Sequence, residues 1–240
     1  MKQYEAVIRA MQEHGGYATL AQLYQSTMKI PNCRWGTKTP FASIRRIVQT
    51  YPQYFYKVRP GLWALVAEKK KFDQLFVEET GKEAEYTHYY FQGLLVEIGN
   101  LKGFKTFIPN QDKNKPFLQM KLDDVSTLKI IAEFTYPRLC ERAKTVDVVW
   151  FNPRGFPDSL FEVEHSTGFD RALLKFIEFQ DFRVKFFIVA DKNRKAEFQS
   201  RFLNYAFEPI KSYVKFLDYD YVSNLHGKIS ESAIAERLML

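Results

Sequence analysis

Apolar positions in the first third of the chain follow the period of a helix. Apolar side chains recur three and four residues apart in three segments, 4–11, 20–27 and 41–48. This spacing predicts three amphipathic helices, with Thr19 and Thr39 at the N-cap positions of the second and third. Two short apolar runs then flank the turn at Pro60-Gly61, which is typical of a hairpin. Residues 1–67 are therefore predicted to hold three helices followed by two strands.

The rest of the chain alternates between charged and strongly apolar segments. Residues 68–88 are charged and poor in turn residues, which predicts a helical connector. From residue 89 the pattern predicts a helix, three strands, a helix, a strand and a helix, although residues 127–136 fit either a helix or a strand. This order predicts an α/β domain at 89–240 with a central mixed sheet flanked by helices. The fold class expected is α+β in two domains.

The basic charge of the chain is concentrated near its N-terminus. The net charge is +7, but residues 1–71 hold 12 Lys and Arg against 3 Asp and Glu, a net of +9. A local excess of this kind favours a polyanionic partner, with nucleic acid first and an anionic membrane surface second. A merely soluble basic surface is the alternative.

The first 67 residues resemble a winged helix-turn-helix domain of the kind fused to restriction-modification proteins. The resemblance is carried by the order of elements and by the hairpin "VRPGLWAL" at 58–65. It implies that the third helix enters the major groove of DNA and that the hairpin contacts the backbone. The DNA-contacting residues that it implies are Lys38, Thr39, Ser43, Arg45 and Arg46 on or near the helix, and Lys57 and Arg59 on the hairpin. A protein-interaction module is the alternative.

Three acids fall close together in the second domain. Glu162 and Glu164 are two residues apart in the strand-like run "LFEVEHST" at 160–167, so their side chains point to one face. Asp147 lies in the preceding strand-like run and joins them if the register of the hairpin allows. Like charges on one face raise one another's pKa, and folding does not favour them without a cation. Carboxylate oxygens select hard divalent ions, so the patch predicts Mg²⁺ or Mn²⁺.

The order of these residues resembles the PD-(D/E)XK nuclease superfamily from about residue 86 to 190. Asp147 matches the aspartate of the motif, Glu162 its second acid, and Glu97 the glutamate that many members carry on an upstream helix. The resemblance implies metal binding by Asp147, Glu162 and the backbone carbonyl of Val163, with Glu97 as an outer ligand.

One position departs from the superfamily motif. Glu164 stands where the motif has lysine. Glu164 could position or deprotonate the attacking water, or hold a second ion. Lys175 on the following helix could be a relocated lysine, and Arg171 and Gln180 are weaker candidates.

The residues that follow the two glutamates are polar. His165, Ser166 and Thr167 are predicted to bind the phosphate or to orient the acids. His165 alternates to the face opposite the glutamates, which favours a structural place for it.

The resemblance implies a Mg²⁺- or Mn²⁺-dependent endonuclease of restriction type that hydrolyses phosphodiester bonds in double-stranded DNA. A homodimer is expected, because cutting both strands usually needs two active sites. The alternatives are a DNA-binding regulator with an inactive nuclease-like domain and a nuclease directed at RNA or at DNA repair. We expect a cytoplasmic, DNA-associated prokaryotic protein, because no segment has the ~20 apolar residues of a membrane span and no secretory signal is present.

Overall fold

A computed structural model describes residues 1–36, 39–70 and 80–239. Lys38 and residues 71–79 of the predicted connector at 68–88 lie outside the described residues. The backbone groups into two compact units, Met1–Glu83 with Ser223–Leu240, and Ala84–Val222. The C-terminal helix, which the predicted boundary assigned to the second domain, therefore belongs largely to the first unit. None of the described helices is long and apolar enough to cross a bilayer.

The N-terminal part of the first unit, through Leu65, has three helices and three short strands among its described residues. Its elements are α1 (Gln3–Glu13), β1 (Tyr17–Thr19), α2 (Leu20–Thr27), α3 (Pro40–Thr50), β2 (Phe55–Arg59) and β3 (Leu62–Leu65). The strands form an antiparallel sheet in the order β1-β3-β2. Strand β1 was not predicted, because only its pairing with β3 makes three residues after a Gly-Gly turn extended.

Glycine, threonine and proline residues lie at the end of α1 and at the starts of α2 and α3. Gly15 and Gly16, at φ of 75° and 94°, follow α1 in a conformation that favours glycine. The Thr19 hydroxyl accepts a hydrogen bond from the Gln22 amide and caps α2. Pro40 begins α3, whereas the Thr39 side chain makes no capping bond there.

The second unit is built around a five-stranded mixed sheet. Its elements are α4 (Thr80–Leu101), β4 (Lys105–Phe107), β5 (Pro116–Phe117), β6 (Met120–Lys121), α5 (Leu122–Val125), α6 (Pro137–Ala143), β7 (Val148–Phe151), β8 (Pro157–Glu164), α7 (Asp170–Ile177), β9 (Lys185–Ala190), α8 (Lys195–Phe202) and β10 (Val214–Asp218). Helix α9 (Tyr219–Met239) follows and continues into the first unit. Residues 127–136, which fitted helix or strand, form neither.

The order of the sheet is β10-β9-β8-β7-β4. Strands β4, β7 and β8 pair antiparallel, and β8, β9 and β10 pair parallel. Strand β8 is therefore central and covered on both faces, and it is buried from Ser159 to Glu164. Any charged side chain on the C-terminal half of β8 is consequently buried as well.

Helices α4 and α7 cover opposite faces of the sheet. On one face Leu160 and Ile188 join Leu173 and Phe176 of α7 in one apolar cluster. On the other face Trp150 packs against Phe161 with the two rings tilted, and its indole Nε1 donates to the carbonyl of Leu95 on α4 at 3.1 Å. A side chain at Gly99 of α4 would meet Trp150 at 2.6 Å, so glycine allows this close approach. Alternation along β8 then places Glu162 and Glu164 on the face of α7.

Candidate active site

Asp147 lies beside Glu162 because of the register between β7 and β8. Val148 pairs with Phe161, so the residue just before β7 is level with Glu162. The amide of Val163 donates to Asp147 Oδ2 at 2.8 Å, and the amide of Asp147 donates to Glu162 Oε1 at 3.4 Å. The antiparallel pair thus brings two acids that are 15 positions apart into one patch.

Glu162 and Glu164 are both buried, with 3% and 6% of their surface exposed. Burial, and then the charge of Asp147, raises the pKa of Glu162 well above its ordinary range, and Lys175 opposes that rise. Burial also raises the pKa of Glu164, opposed chiefly by a hydrogen bond from the Thr167 hydroxyl. Two such groups on a central strand are costly for folding, which favours a functional reason for them.

Lys175 supplies a cation that the motif position at Glu164 lacks. Its Nζ lies 2.8 and 2.9 Å from the two carboxylate oxygens of Glu162 and 2.7 Å from the carbonyl of Thr145. The pair is buried, with the side chains 12% and 3% exposed. Arg171 and Gln180 are both exposed, so α7 turns Lys175 and not these residues toward the acids.

Helix α4 contributes two residues that sequence reasoning missed. His88 and Gln92 are four positions apart and so share one helix face. Gln92 Nε2 donates to the carbonyl of Asp147 at 3.1 Å, and His88 Nε2 lies 3.7 Å from Asp147 Oδ2. The signal available in the sequence was this i, i+4 spacing of two polar residues in an apolar helix.

Glu97 lies on the same helix but on a different side of it. Five residues after Gln92, it is rotated about 140° around the helix axis, and it is half-buried. The face of α4 that reaches Asp147 is the one with His88 and Gln92. The part of Glu97 as an outer metal ligand stays a prediction.

Asp112 is a second acid that the sequence did not single out. It lies in the loop between β4 and β5, is 6% exposed, and accepts a hydrogen bond from Gln92 Nε2 at 3.0 Å. Burial raises the pKa of Asp112, and the neighbouring Asp147 adds to the rise. One donor atom each from His88, Asp112 and Asp147 lie within 4.8 Å of one another, a group that could hold a metal ion.

The segment after β8 is held by Arg194. The guanidinium donates to the carbonyls of Glu164 at 3.0 Å, His165 at 3.1 Å and Thr167 at 2.7 Å. His165 Nδ1 lies 3.3 Å from the Tyr219 hydroxyl. Ser166 is exposed, whereas Thr167 donates to Glu164. Thr167 is therefore bonded to an acid of the site.

The residues expected to contact DNA differ in how accessible they are. Arg45 donates to Glu231 on α9 at 2.5 Å and to the Tyr24 hydroxyl at 3.1 Å. Arg46 and Lys57 are exposed. The others that the structure describes are Thr39, which is exposed, and Ser43 and Arg59, which are half-buried.

The mixed sheet carries buried acids where β8 ends and a further acid beside the start of β7, and α7 adds a lysine that bonds one of them, an arrangement that is compatible with the α/β core of a restriction-type nuclease. A family model agrees: the type II restriction enzyme NmeDI C-terminal domain matches residues 69–239. The chain therefore belongs to this family, which indicates a restriction-type nuclease that binds DNA. No curated protein and no solved structure matches the chain.

Proposed function

We propose that the protein is a metal-dependent endonuclease of restriction type that hydrolyses phosphodiester bonds in double-stranded DNA. The observation that carries this proposal is the convergence of Asp147, Glu162, Glu164 and Lys175 at one end of β7 and β8. The family match supports the same class of enzyme. The core of the second unit, α4-β4-β7-β8-α7-β9, has the order of elements expected of the PD-(D/E)XK superfamily, which supports that finer assignment.

The donor set fits a divalent cation. Asp147, Glu162 and Asp112 offer carboxylate oxygen atoms. Glu162 and Asp112 are buried, so their negative charges need a positive charge close by. Asp147 and Glu162 would hold the ion. Since the amide of Val163 points to Asp147, its carbonyl also faces that side of β8 and is a reasonable third ligand. A bound Mg²⁺ or Mn²⁺ lowers the pKa of a water and neutralises charge on the phosphate.

The side chains around the proposed metal position have different roles. Lys175 fixes the carboxylate of Glu162 through two hydrogen bonds and offers a positive charge next to the scissile phosphate. Glu164, held by Thr167 and with its pKa raised by burial, orients the attacking water and accepts its proton. Gln92 fixes Asp147 through the backbone carbonyl of that residue.

The first unit is proposed to be a winged helix-turn-helix domain that binds DNA. Its order, helix, strand, helix, helix and then a hairpin that pairs with the first strand, supports that assignment. Helix α3 buries Phe41, Ile44 and Val48 and leaves Arg46 exposed, and Lys57 is exposed on the hairpin. We propose that Arg46 and Lys57 contact phosphates, and that two copies act together on the two strands.

The inactive-regulator alternative depended on the glutamate at the lysine position of the motif. Lys175 provides a positive charge at Glu162 from the next helix, so the missing lysine no longer favours a loss of chemistry. The endonuclease is therefore the function that we retain.

Cleavage assays on methylated and unmethylated genomic DNA, with Mg²⁺ or Mn²⁺, test the proposal. We expect defined fragments from the wild type, and a loss of at least 10³-fold in rate for Glu162→Gln. Asp181→Asn, a change of an exposed acid in the same unit, is the matched control and should cut like the wild type. Cleavage by Glu162→Gln at the wild-type rate would show that the site is misassigned.

A further inference from the structure

Next to the Glu162–Lys175 pair, a second set of donors surrounds the other side of Asp147. His88 comes from α4 and Asp112 from the loop after β4, and with Asp147 they place a nitrogen and two oxygens within 4.8 Å of one another. That spacing is close to the ~4 Å that separates ligands on opposite sides of an ion with bonds of about 2.1 Å.

The surroundings of these donors suit a cation. Asp112 is 94% buried. Gln92 is fully buried, and its Nε2 bridges Asp112 Oδ2 and the Asp147 carbonyl. The amide oxygen of Gln92 is buried, and in the described part of the chain it has no hydrogen-bond partner. The side chain that bridges Asp112 and Asp147 thus carries a buried oxygen without a donor, and a positive ion would relieve this uncompensated negative end.

The type of donor distinguishes this set from the oxygen ligands at Glu162. An imidazole nitrogen binds borderline transition-metal ions better than it binds Mg²⁺, whose preferred ligands are oxygens. We propose that His88, Asp112 and Asp147 form a second divalent-cation site that prefers a transition-metal ion such as Mn²⁺ or Co²⁺ to Mg²⁺. This inference deepens the proposed function, since Asp147 is shared by the two sites.

Direct detection of nitrogen at the bound ion tests the site without a variant. Purified full-length protein, labelled with ¹⁵N-histidine and kept free of DNA, is mixed with Mn²⁺ and measured by pulsed electron paramagnetic resonance. We expect a hyperfine coupling to one imidazole nitrogen. The absence of any nitrogen coupling at saturating Mn²⁺ would overturn the proposal, because it would show that the bound ion has only oxygen ligands.

Titration calorimetry then assigns the ligands. His88→Gln and Asp112→Asn should each weaken Mn²⁺ binding at one site at least tenfold and change Mg²⁺ binding less than threefold. His14→Gln, whose histidine is bonded to Ser26 in the first unit, and Asp181→Asn are the matched controls. Unchanged Mn²⁺ binding by a folded His88→Gln protein would contradict the site, as would an equal loss of Mg²⁺ and Mn²⁺ affinity.

The two proposals fail in different ways. A nitrogen-coupled ion in a protein that cuts no DNA would leave the cation site standing and reject the endonuclease. Cleavage that depends on Glu162, by a protein whose bound Mn²⁺ has no nitrogen ligand, would support the endonuclease and reject the second cation site.

Discussion

One ion pair of the second unit and one of the first unit lie under opposite conditions. In the second unit Lys175 and Glu162 are 12% and 3% exposed, on a central strand and the helix that covers it. In the first unit Arg45 and Glu231 are 40% and 32% exposed, on two helices. An exposed pair is screened by water and contributes about 0–1 kcal/mol. A buried pair loses so much hydration that its attraction barely compensates, and removing one partner costs about 3–5 kcal/mol.

This difference indicates what each pair does. The buried pair adds little to the free energy of unfolding, since apolar residues of similar size would stabilise the fold as well. It is better explained by chemistry at the acids beside it. The exposed pair holds the Arg45 guanidinium against Glu231 and changes the free energy of unfolding very little. Arg45 is therefore less available to a partner, and Arg46 is the better candidate for a DNA contact.

The largest expected effect comes from breaking the buried pair. Lys175→Met leaves the Glu162 carboxylate buried without its cation, so we expect a loss of about 3 kcal/mol in the free energy of unfolding and of nearly all cleavage. The double variant Lys175→Met/Glu162→Leu should recover most of that stability but none of the cleavage. Urea denaturation and a DNA cleavage assay measure both. Equal stability of the single and double variants would show that burial of the charge is not the cause.

A gain of stability is expected from Glu164→Gln. Burial raises the pKa of Glu164, so the folded state binds its proton more readily than the unfolded state does. Stability associated with this group is therefore present at acid pH and falls as pH rises above 4.5, its ordinary pKa. The variant should be more stable by about 1 kcal/mol at pH 7, with a flatter pH dependence in EDTA, and should cut at least tenfold more slowly. Denaturation from pH 4 to 8 checks the slope, and a steeper slope in the variant would contradict it.

Arg194→Lys should have an intermediate effect. Arg194 bonds three carbonyls after β8 through one guanidinium, and an ammonium cannot reproduce that fork. We expect a loss of about 1–2 kcal/mol in stability and a fall in kcat with little change in KM, since the segment positions Thr167 and hence Glu164. Arg201→Lys, a change at an exposed arginine, is the control. A change confined to KM would place Arg194 in substrate binding instead.

The smallest effects are expected in the first unit. Arg46→Ala should weaken DNA binding several-fold and reduce the salt dependence by about one phosphate contact. Arg45→Ala should change binding less, because Glu231 and Tyr24 already hold that guanidinium. Its loss of stability should stay below about 1 kcal/mol. Fluorescence anisotropy at several salt concentrations compares the two, and a larger effect of Arg45→Ala on DNA binding would reverse their ranking.

Several parts of the fold followed from local pattern. The periods of the apolar residues indicated α1, α2 and α3, and the β-branched runs indicated β7 and β8. Strand β1 and the irregular segment at 127–136 were not predictable, since each depends on what packs against it. The C-terminal helix was assigned to the second domain, but Ile234 and Ala235 pack on the apolar cluster of the first unit. This contact joins residues more than 150 positions apart in the sequence, so no local sequence pattern predicts it.

The sequence by itself determined that Glu162 and Glu164 share one face, because the side-chain period of a strand is two. The short turn between β7 and β8 allowed Asp147 to lie across from them, but the register of these two strands in the tertiary structure places it there. Only the tertiary structure decided which groups meet them. The packing of α7 brings Lys175 to Glu162, and the approach of α4 and of the loop after β4 brings His88, Gln92 and Asp112 to Asp147. The reason is that a helix face is specified locally, whereas the strand that it covers is chosen by packing of the whole unit.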